Sequence, residues 1–405
     1  MDIVSVAFRI SCATFELGVE MWRSAHGGLE MTFQKPEGPE RLENRIRALE
    51  FFSGIGGLHY GLEYAHPRSE VVAAFDINEH ANLCYHHNFG LKPTQTGIQT
   101  LTPKAVDKLQ ANCWLMSPPC QPYTQGGKQL DDKDPRAEGL LHLIELLGLV
   151  QTPPEFVFVE NVPNFELSRS RKLMVDKLDE LGYEIHEFLV TPLQFGIAND
   201  RRRYYLTARR VGLANDSSRE GKYSEHATIH TTPWPKSIFG KTMENAPQPR
   251  MLSEYLEDLD DTTLYKVPDV YITKRHKFRF DIVNPSDRRC SCFTKAYGSH
   301  HVIGSGSFLQ TDKFEKPHNF DDPTDLLDLG LRFFTPTEVA RLHAFPVDGE
   351  ANIHQFLDGG VPAASRHKLI FPPNLTTIQK WRLLGNSLNC RVVGVLMRDV
   401  LFKMR

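Results

Sequence analysis

The feature that most constrains the fold is an alternation of apolar segments with segments of helical pattern between Arg47 and Arg210. One apolar segment is a continuous run, as expected for a strand buried on both faces of a sheet. Helical patterns cover Leu140–Leu149 and Arg171–Leu181. We therefore predict an α/β fold with a doubly wound, mostly parallel sheet. The predicted strands are Ala48–Phe52, Val71–Asp76, Trp114–Met116, Phe156–Glu160 (the continuous run) and Arg203–Ala208.

The 405 residues are enough for roughly two or three domains. Breakers such as Gly27-Gly28 indicate that residues 1–45 are an appended segment, either poorly ordered or a doubtful start of the chain. Residues 46–211 carry the alternation, residues 212–330 form a different, mixed region, and residues 331–405 return to a helical pattern.

The second half of the chain is predicted in less detail. Residues 215–250 are polar and predicted as a loop or partly disordered segment. Short strands are predicted around Cys292–Thr294 and His301–Ile303. We also predict a helix that is capped by Thr335 and has proline at its first position, and a last helix that begins near Asn389.

Composition excludes several classes of protein. No apolar run is long enough to span a bilayer, and the first twenty residues make a poor secretory or mitochondrial leader. The seven cysteines are scattered without zinc-finger spacing or a disulfide framework, so we expect a reducing compartment. The formal net charge is −3, so any surface that binds phosphates must be a local patch. We expect a cytoplasmic protein and leave access to the nucleus open.

A cysteine lies in a proline-rich loop, Ser117-Pro118-Pro119-Cys120-Gln121-Pro122, directly after an apolar run. Each proline fixes its own φ and pushes the preceding residue toward extended geometry. The loop is therefore stiff, and it presents the thiol outward as a nucleophile requires. The alternative is a small buried cysteine in a proline-rich turn, and the motif alone does not decide between them.

A glycine-rich turn, Phe52–Gly57, follows the first predicted strand and opens a helix. Glycine allows the backbone to turn tightly and approach a ligand, and amides at a helix N-terminus suit an anion. Asp76, at the end of the second strand, is placed to accept hydrogen bonds from ribose hydroxyls. Together they indicate an adenosine-bearing cofactor over the strand ends, although each alone also fits a plain βα turn or an exposed carboxylate.

Two further elements carry charge at strand ends. Glu160, in Glu160-Asn161-Val162, leaves a buried strand, where desolvation favours the protonated form that a general acid needs. Arg201 and Arg203 point to the same face if they belong to one strand, and two guanidiniums can grip a base carbonyl or phosphates. The alternatives are that Glu160 is an ordinary glutamate at a strand end and that the arginines form a solvated basic edge.

In chain order, these elements end with Arg-Leu-Leu-Gly-Asn-Ser at residues 382–387. The whole order resembles the cytosine-C5 methyltransferases over residues 46–211 and 331–403. The resemblance implies a Rossmann-like S-adenosylmethionine-dependent methyltransferase domain at 46–211 and a small mixed target-recognition domain at 212–330. It also implies that residues 331–405 return to the catalytic domain.

The resemblance assigns roles to the candidate site residues. Cys120 is implied as the thiolate that attacks C6 of cytosine, Glu160 as the group that hydrogen-bonds or protonates N3, and Arg203 with Arg201 as the clamp at O2. A free thiol has a pKa of ~8.5, so we expect the site to favour the anion. The implied cofactor is S-adenosylmethionine, with no metal, and its implied contacts are Ile55, Gly56, Gly57, Asp76, Ile98, Gln99, Ser117, Asn386 and Ser387.

A further segment, Cys292-Phe293-Thr294-Lys295, resembles the tRNA-methylating branch of this family, historically called DNA methyltransferase 2. That branch methylates cytosine 38 in the anticodon loop of aspartate tRNA, so we expect a tRNA substrate bound in part by these four residues. The strip Lys274–Phe280 interleaves basic and aromatic residues that can hold phosphates and stack a base. A DNA cytosine-C5 methyltransferase and an RNA-binding protein with little activity remain alternatives. We expect a monomer with no membrane partner.

Overall fold

The computed structural model describes residues 45–123, 130–212, 223, 227–239, 247–300, 304–347 and 367–403. Arg45–Arg405 form one compact unit. The predicted extension at residues 1–45 lies outside the described residues except for Arg45, and so do the predicted strand His301–Ile303 and much of the predicted loop at 215–250. No helix in the described parts of the chain is long and apolar enough to cross a membrane.

The strands, in chain order, are β1 (Ile46–Phe51), β2 (Ser69–Phe75), β3 (Cys113–Met116), β4 (Phe156–Asn161), β5 (Tyr183–Val190), β6 (Asn199–Asp200), β7 (Arg203–Arg210), β8 (Ile229–His230), β9 (Ile282–Val283), β10 (Cys290–Ser291) and β11 (Phe308–Leu309). The helices are α1 (Gly57–Ala65), α2 (Glu79–Phe89), α3 (Pro103–Asp107), α4 (Glu138–Leu149), α5 (Arg169–Glu180), α6 (Lys236–Phe239), α7 (Asp269–Thr273), α8 (Pro336–Leu342), α9 (Thr377–Gly385) and α10 (Cys390–Leu396).

The central sheet has the order β2-β1-β3-β4-β7-β5-β8. Strands β1 to β4 are parallel, whereas β7 runs antiparallel to both β4 and β5. The chain leaves β1 toward β2 on one side and later enters β3 on the other. The strand order therefore reverses between β1 and β3, and a ligand crevice is expected at their carboxyl ends.

Side-chain alternation along β4 shows why helices cover both faces of the sheet. Phe156 and Phe158 join a core with residues of α1 and α10, whereas Val157 and Val159 join a second core with residues of α4 and α5. All six residues of β4 are buried, which matches the continuous apolar run in the sequence. Full burial of one such side chain stabilises the folded state by about 1.5–3 kcal/mol.

The predicted α/β fold is confirmed, with two local differences. The sequence pattern did not predict β5, whose antiparallel pairing with β7 makes this half of the sheet mixed. The predicted strand at Cys292–Thr294 is wrong, because the strand there ends at Ser291 after two residues. The predicted cap at Thr335 is present as a capping box on α8. The last helix begins near Asn389 as predicted, and the Asn389 side chain accepts from the Val392 amide of α10.

Candidate active site

A cleft of about 570 Å³ lies at the carboxyl ends of β1, β3 and β4. Its walls include the glycine turn after β1, the proline-rich loop after β3, the end of β4, the start of β7 and the segment that links α9 to α10. The first three meet because parallel strands end at the same edge of the sheet, and the antiparallel β7 begins at that edge.

The glycine turn is held by the acid at the end of β2. The Gly54 amide donates to Asp76 Oδ2 at 2.8 Å, and the Asn78 amide donates to Asp76 Oδ1 at 2.8 Å. Burial raises the pKa of Asp76, and these amides act in the opposite direction. Gly56 has φ 87°, which favours glycine, and a Cβ there would lie 2.3 Å from the Phe89 ring. Gly56 thus packs against α2.

The loop that carries Cys120 is held by hydrogen bonds to neighbouring segments and within the loop itself. The Ser117 hydroxyl donates to the Phe52 carbonyl at 2.9 Å, and Asn161 Nδ2 donates to the Pro118 carbonyl at 3.2 Å. The Tyr123 amide donates to the Cys120 carbonyl at 3.0 Å. The loop is therefore fixed to both β1 and β4, and the Cys120 thiol, which is half-buried, lines the cleft.

Burial dominates the protonation of both candidate catalytic groups. It raises the pKa of Glu160, which the nearby Arg203 and Arg201 lower to a smaller extent. Burial also raises the pKa of the Cys120 thiol, against Arg203, Arg201 and Lys295. The expectation that the site favours the thiolate is therefore wrong for this structure, because burial and the charge of Glu160 together outweigh the three cations. The raised pKa of Glu160 makes it easier to protonate than an ordinary glutamate, as a proton donor requires.

The two arginines differ in what their guanidinium groups contact. Arg203 Nε lies 3.6 Å from Glu160 Oε1. Arg201, only 2% exposed, donates from Nη1 to the Phe293 carbonyl at 2.8 Å and from Nη2 to the carbonyls of Gly385 and Ser387. Moreover, β7 begins at Arg203, so the two do not share a strand. Arg201 therefore joins distant segments, and Arg203 stands beside the candidate acid.

The segment between α9 and α10 closes the cleft against the glycine turn. A methyl group on Gly57 would lie 2.9 Å from the Leu388 side chain and 3.1 Å from Ser387 Oγ. Asn386 and Ser387 both line the cleft. The C-terminal part of the chain thus supplies one wall of the site, and only a glycine at position 57 allows this approach.

The segment Cys292–Lys295 lies behind the arginine pair and does not line the cleft. Cys292 Sγ accepts from Arg201 Nη1 at 3.0 Å and lies 3.5 Å from Arg203 Nη2. Burial raises the pKa of this thiol, but the two arginines outweigh burial, so the pKa lies below its ordinary value. Phe293 is buried in the core, whereas Lys295 is exposed and close enough to affect Cys120.

Most of the predicted site residues are brought together in this cleft. Gly56 and residues 292–295 are the exceptions. The predicted residues that line the cleft are Ile55, Gly57, Asp76, Ile98, Gln99, Ser117, Cys120, Glu160, Arg201, Arg203, Asn386 and Ser387.

Comparison with known proteins gives a consistent result. Residues 46–400 match the family described as C-5 cytosine-specific DNA methylase. The chain belongs to this family. It is 31% identical to the human tRNA (cytosine(38)-C(5))-methyltransferase and 35% identical to the Schizosaccharomyces pombe protein of the same name. Each match covers 87% of this chain, together with 98% of the human protein and 96% of the S. pombe protein. The S. pombe Dnmt2 crystal structure matches with TM-score 0.68 and 33% identity over 88% of this chain and 98% of that one.

Another relative is named for a different nucleic acid. The chain is 34% identical to a Dictyostelium discoideum protein named DNA (cytosine-5)-methyltransferase, over 87% of this chain and 94% of that protein. Membership in the methylase family therefore establishes the cytosine-C5 methyltransferase class, while the nucleic acid is a separate question.

Sequence reasoning missed several cleft residues of this methylase. Ile77, directly after Asp76, is 72% exposed although apolar, and it lines the cleft together with Phe52 and Leu383. An isoleucine that follows a strand-end acid is the one signal in the sequence that could have marked it. Gly139 lines the cleft from α4, and the sequence pattern assigns it only to a helix.

Glu160→Gln is expected to slow methyl transfer by about 10²–10⁴-fold, because glutamine cannot donate a proton. The ionised Glu160 also raises the pKa of Cys120, so the substitution should lower that pKa. At any pH below the pKa of Cys120 in the wild type, iodoacetamide should then alkylate Cys120 faster in the variant. Mass spectrometry of the Cys120 peptide across a pH series measures this shift.

The matched control is Glu145→Gln, which neutralises an exposed glutamate on α4. It should leave both the alkylation profile and methyl transfer at wild-type values. An unchanged Cys120 profile in Glu160→Gln would contradict the electrostatic coupling between the two groups.

Proposed function

We propose that this methylase transfers a methyl group from S-adenosylmethionine to C5 of cytosine 38 in the anticodon loop of tRNA, with aspartate tRNA as the preferred substrate. The observation that carries the proposal is the convergence of Cys120, Glu160 and Arg203 on one cleft. The relatives from human and S. pombe, which the chain matches over nearly their whole length, are named for cytosine 38 of tRNA.

The cleft residues fit S-adenosylmethionine. The volume of about 570 Å³ lies in the usual range for small-molecule sites. Asp76 offers carboxylate oxygens to a ribose, and the exposed side chain of Ile77 offers an apolar surface to an adenine ring. Ile98, Gln99, Ser117, Asn386 and Ser387 supply the remaining walls. When bound, this cofactor supplies an electrophilic methyl group.

The chain's own residues then account for the activation and release of cytosine. The Cys120 thiolate forms a bond to C6 while Glu160 donates its proton to N3, so the electron pair of the C5–C6 double bond becomes available at C5. Arg203, 3.6 Å from Glu160, is placed to hold the base at O2. After C5 has received the methyl group, its proton leaves to solvent, the C6–S bond breaks toward sulfur, and the N3 proton returns to Glu160.

The raised pKa of Cys120 makes formation of the thiolate a pH-dependent step in this scheme. A thiol with a pKa above its ordinary value is mostly protonated near neutral pH. Rates limited by thiolate formation should therefore rise with pH through the alkaline range. Access to C6 also requires that the nucleotide leave its stack, which costs less in a single-stranded loop than in a duplex.

The exposed side chains of the Lys274–Phe280 strip support binding to phosphates, but one of its two phenylalanines is not available for base stacking. Lys274, Lys277 and Arg279 are exposed. Phe280, in contrast, is 5% exposed and packs on Phe308 with ring centroids 5.7 Å apart. The stacking role predicted for this strip is therefore not available to Phe280.

The proposal predicts that labelled methyl groups appear in an aspartate tRNA transcript and not in the same transcript with uracil at position 38. A duplex DNA that contains the anticodon-loop sequence should receive at least about 100-fold less label, since its cytosine is paired and stacked. The two substrates are incubated at equal concentration with the full chain and labelled S-adenosylmethionine.

The second candidate is methylation of DNA, which the name of the D. discoideum relative favours. Label in the duplex DNA with none in tRNA would replace the tRNA proposal by this one. Label in neither, from a chain that binds tRNA, would favour the RNA-binding alternative.

A further inference from the structure

A cluster of three metal-ligating side chains lies outside the cleft. His59 and Glu63 are one helical turn apart on α1, and His367 comes from the segment before α9. His59 Nε2 lies 3.8 Å from Glu63 Oε1, and His367 Nδ1 lies 2.6 Å from the same oxygen. One ligand atom from each residue lies within 4.8 Å of the other two. The cluster therefore brings two imidazoles and a carboxylate to one point.

The surroundings of His59 orient its ring for ligation. His59 Nδ1 lies 2.9 Å from the Tyr85 hydroxyl, which donates to Glu50 Oε2 at 2.7 Å. The Phe89 ring stacks on the imidazole with centroids 3.9 Å apart. Metal-bound histidines commonly use their second ring nitrogen in such a supporting hydrogen bond. With Nδ1 engaged by Tyr85, the Nε2 atom of His59 is directed at Glu63.

We propose that His59, Glu63 and His367 bind one divalent transition-metal ion of the zinc type. Two histidines and a glutamate are a ligand set that Zn²⁺ takes, with a water in the fourth position. Tetrahedral ligands at about 2.0–2.1 Å lie about 3.3 Å apart, which falls between the two distances from the histidine nitrogens to Glu63 Oε1. The two histidine nitrogens lie within 4.8 Å of each other, so small shifts of the three side chains would bring the ligand atoms to this spacing.

Burial and access differ among the three ligands in a way that suits this site. The Glu63 side chain is fully buried and that of His59 is 8% exposed, so a bound ion would lie in a low-dielectric region where its charge offsets the carboxylate. The His367 side chain is 36% exposed and leaves a path from solvent. The ion would join α1 to a segment 304 residues away in sequence.

The alternative to a metal ion is a proton on His367 Nδ1, which would donate a hydrogen bond to Glu63. The test therefore uses Zn²⁺ alone on the full chain without nucleic acid. After chelation and equilibrium dialysis against buffered Zn²⁺, the wild type should retain about one additional ion compared with Glu63→Gln and with His367→Ala. The affinity for Zn²⁺ should fall by more than about 100-fold in both variants. Loss of a residue that only hydrogen-bonds to a metal ligand costs at most about that much.

Cysteine thiols can also bind zinc, so Co²⁺ serves as a second probe. The wild-type site should give the visible spectrum of a four-coordinate nitrogen and oxygen site without a thiolate charge-transfer band, and that spectrum should be lost in Glu63→Gln. The control is His87→Ala, which removes an exposed histidine of α2 and should bind like the wild type. Equal binding by wild type and Glu63→Gln, or no retained ion in the wild type, would overturn the proposal.

Discussion

Cys120→Ala is expected to reduce methyl transfer by at least about 10⁴-fold, since alanine cannot form the bond to C6 on which the activation of C5 depends. The fold should persist, because the loop is held by Ser117, Asn161 and Tyr123 and not by the thiol. We expect the free energy of unfolding to stay within about 1 kcal/mol of the wild type. Single-turnover transfer to tRNA and binding of S-adenosylhomocysteine are the two measurements.

A trapping experiment separates loss of the nucleophile from loss of the site. A tRNA with 5-fluorocytosine at position 38 blocks loss of the C5 substituent, so the wild type should remain covalently attached on a denaturing gel. The variant should bind this tRNA without attachment. Cys84→Ala, which removes a buried thiol of α2, is the matched control and should behave as the wild type. Attachment of Cys120→Ala would refute the assignment of the nucleophile.

Gly385→Ala is expected to have the largest structural effect of the substitutions considered. A Cβ at this position would lie 2.2 Å from the Thr294 carbonyl carbon and 2.4 Å from the Lys295 amide nitrogen. Both are backbone atoms, so no side-chain rotation relieves the overlap. We expect the free energy of unfolding to fall by about 1–3 kcal/mol and the melting temperature by several degrees.

The same substitution should reduce methyl transfer more than its effect on stability explains. Gly385 presents its carbonyl to Arg201, which also holds Phe293 and Ser387. A displaced α9 end would therefore shift one wall of the cleft, and we expect at least a 10-fold loss of transfer at a temperature where the variant is folded.

Gly148→Ala is the control for this effect. It lies in the last turn of α4, and its Cβ would meet only the Lys177 side chain at 3.7 Å or more. Alanine is favoured over glycine in a helix by up to about 1 kcal/mol, so stability should be unchanged or slightly higher. If Gly385→Ala matched this control in both melting temperature and transfer, the proposed contact between α9 and residues 294–295 would be wrong.

Arg201 shows how tertiary contacts can change the interpretation of a motif. The Arg-x-Arg pattern predicted two equivalent guanidiniums on one face of a strand. In the structure, Arg201 donates to carbonyl groups 92, 184 and 186 residues away, and Arg203 faces Glu160. A strand rule based on alternation cannot predict this, because the strand begins only at Arg203. In the proposed mechanism, Arg201 is therefore a positioning residue, and Arg203 is the arginine that would hold the base.

Features that depend on nearby residues could be predicted from the sequence of this methylase. Local periodicity, hydrogen bonding and proline geometry account for the buried run at Phe156–Glu160, the cap at Thr335, the start of the last helix near Asn389 and the stiff loop at Cys120. Because parallel strands end at one edge, the order of the motifs was also enough to place most of the site residues in one cleft.

Only the tertiary structure decided the environment of each group within that cleft. Gly56 and Gly57 look alike in the sequence, but one packs against Phe89 and the other against Ser387 and Leu388. The Cys120 thiol has a raised pKa because its burial and the charge of Glu160 outweigh three cations, and none of these effects can be read from the loop itself. Desolvation and charge interactions are sums over neighbours that are distant along the chain, so they exist only once the chain has folded.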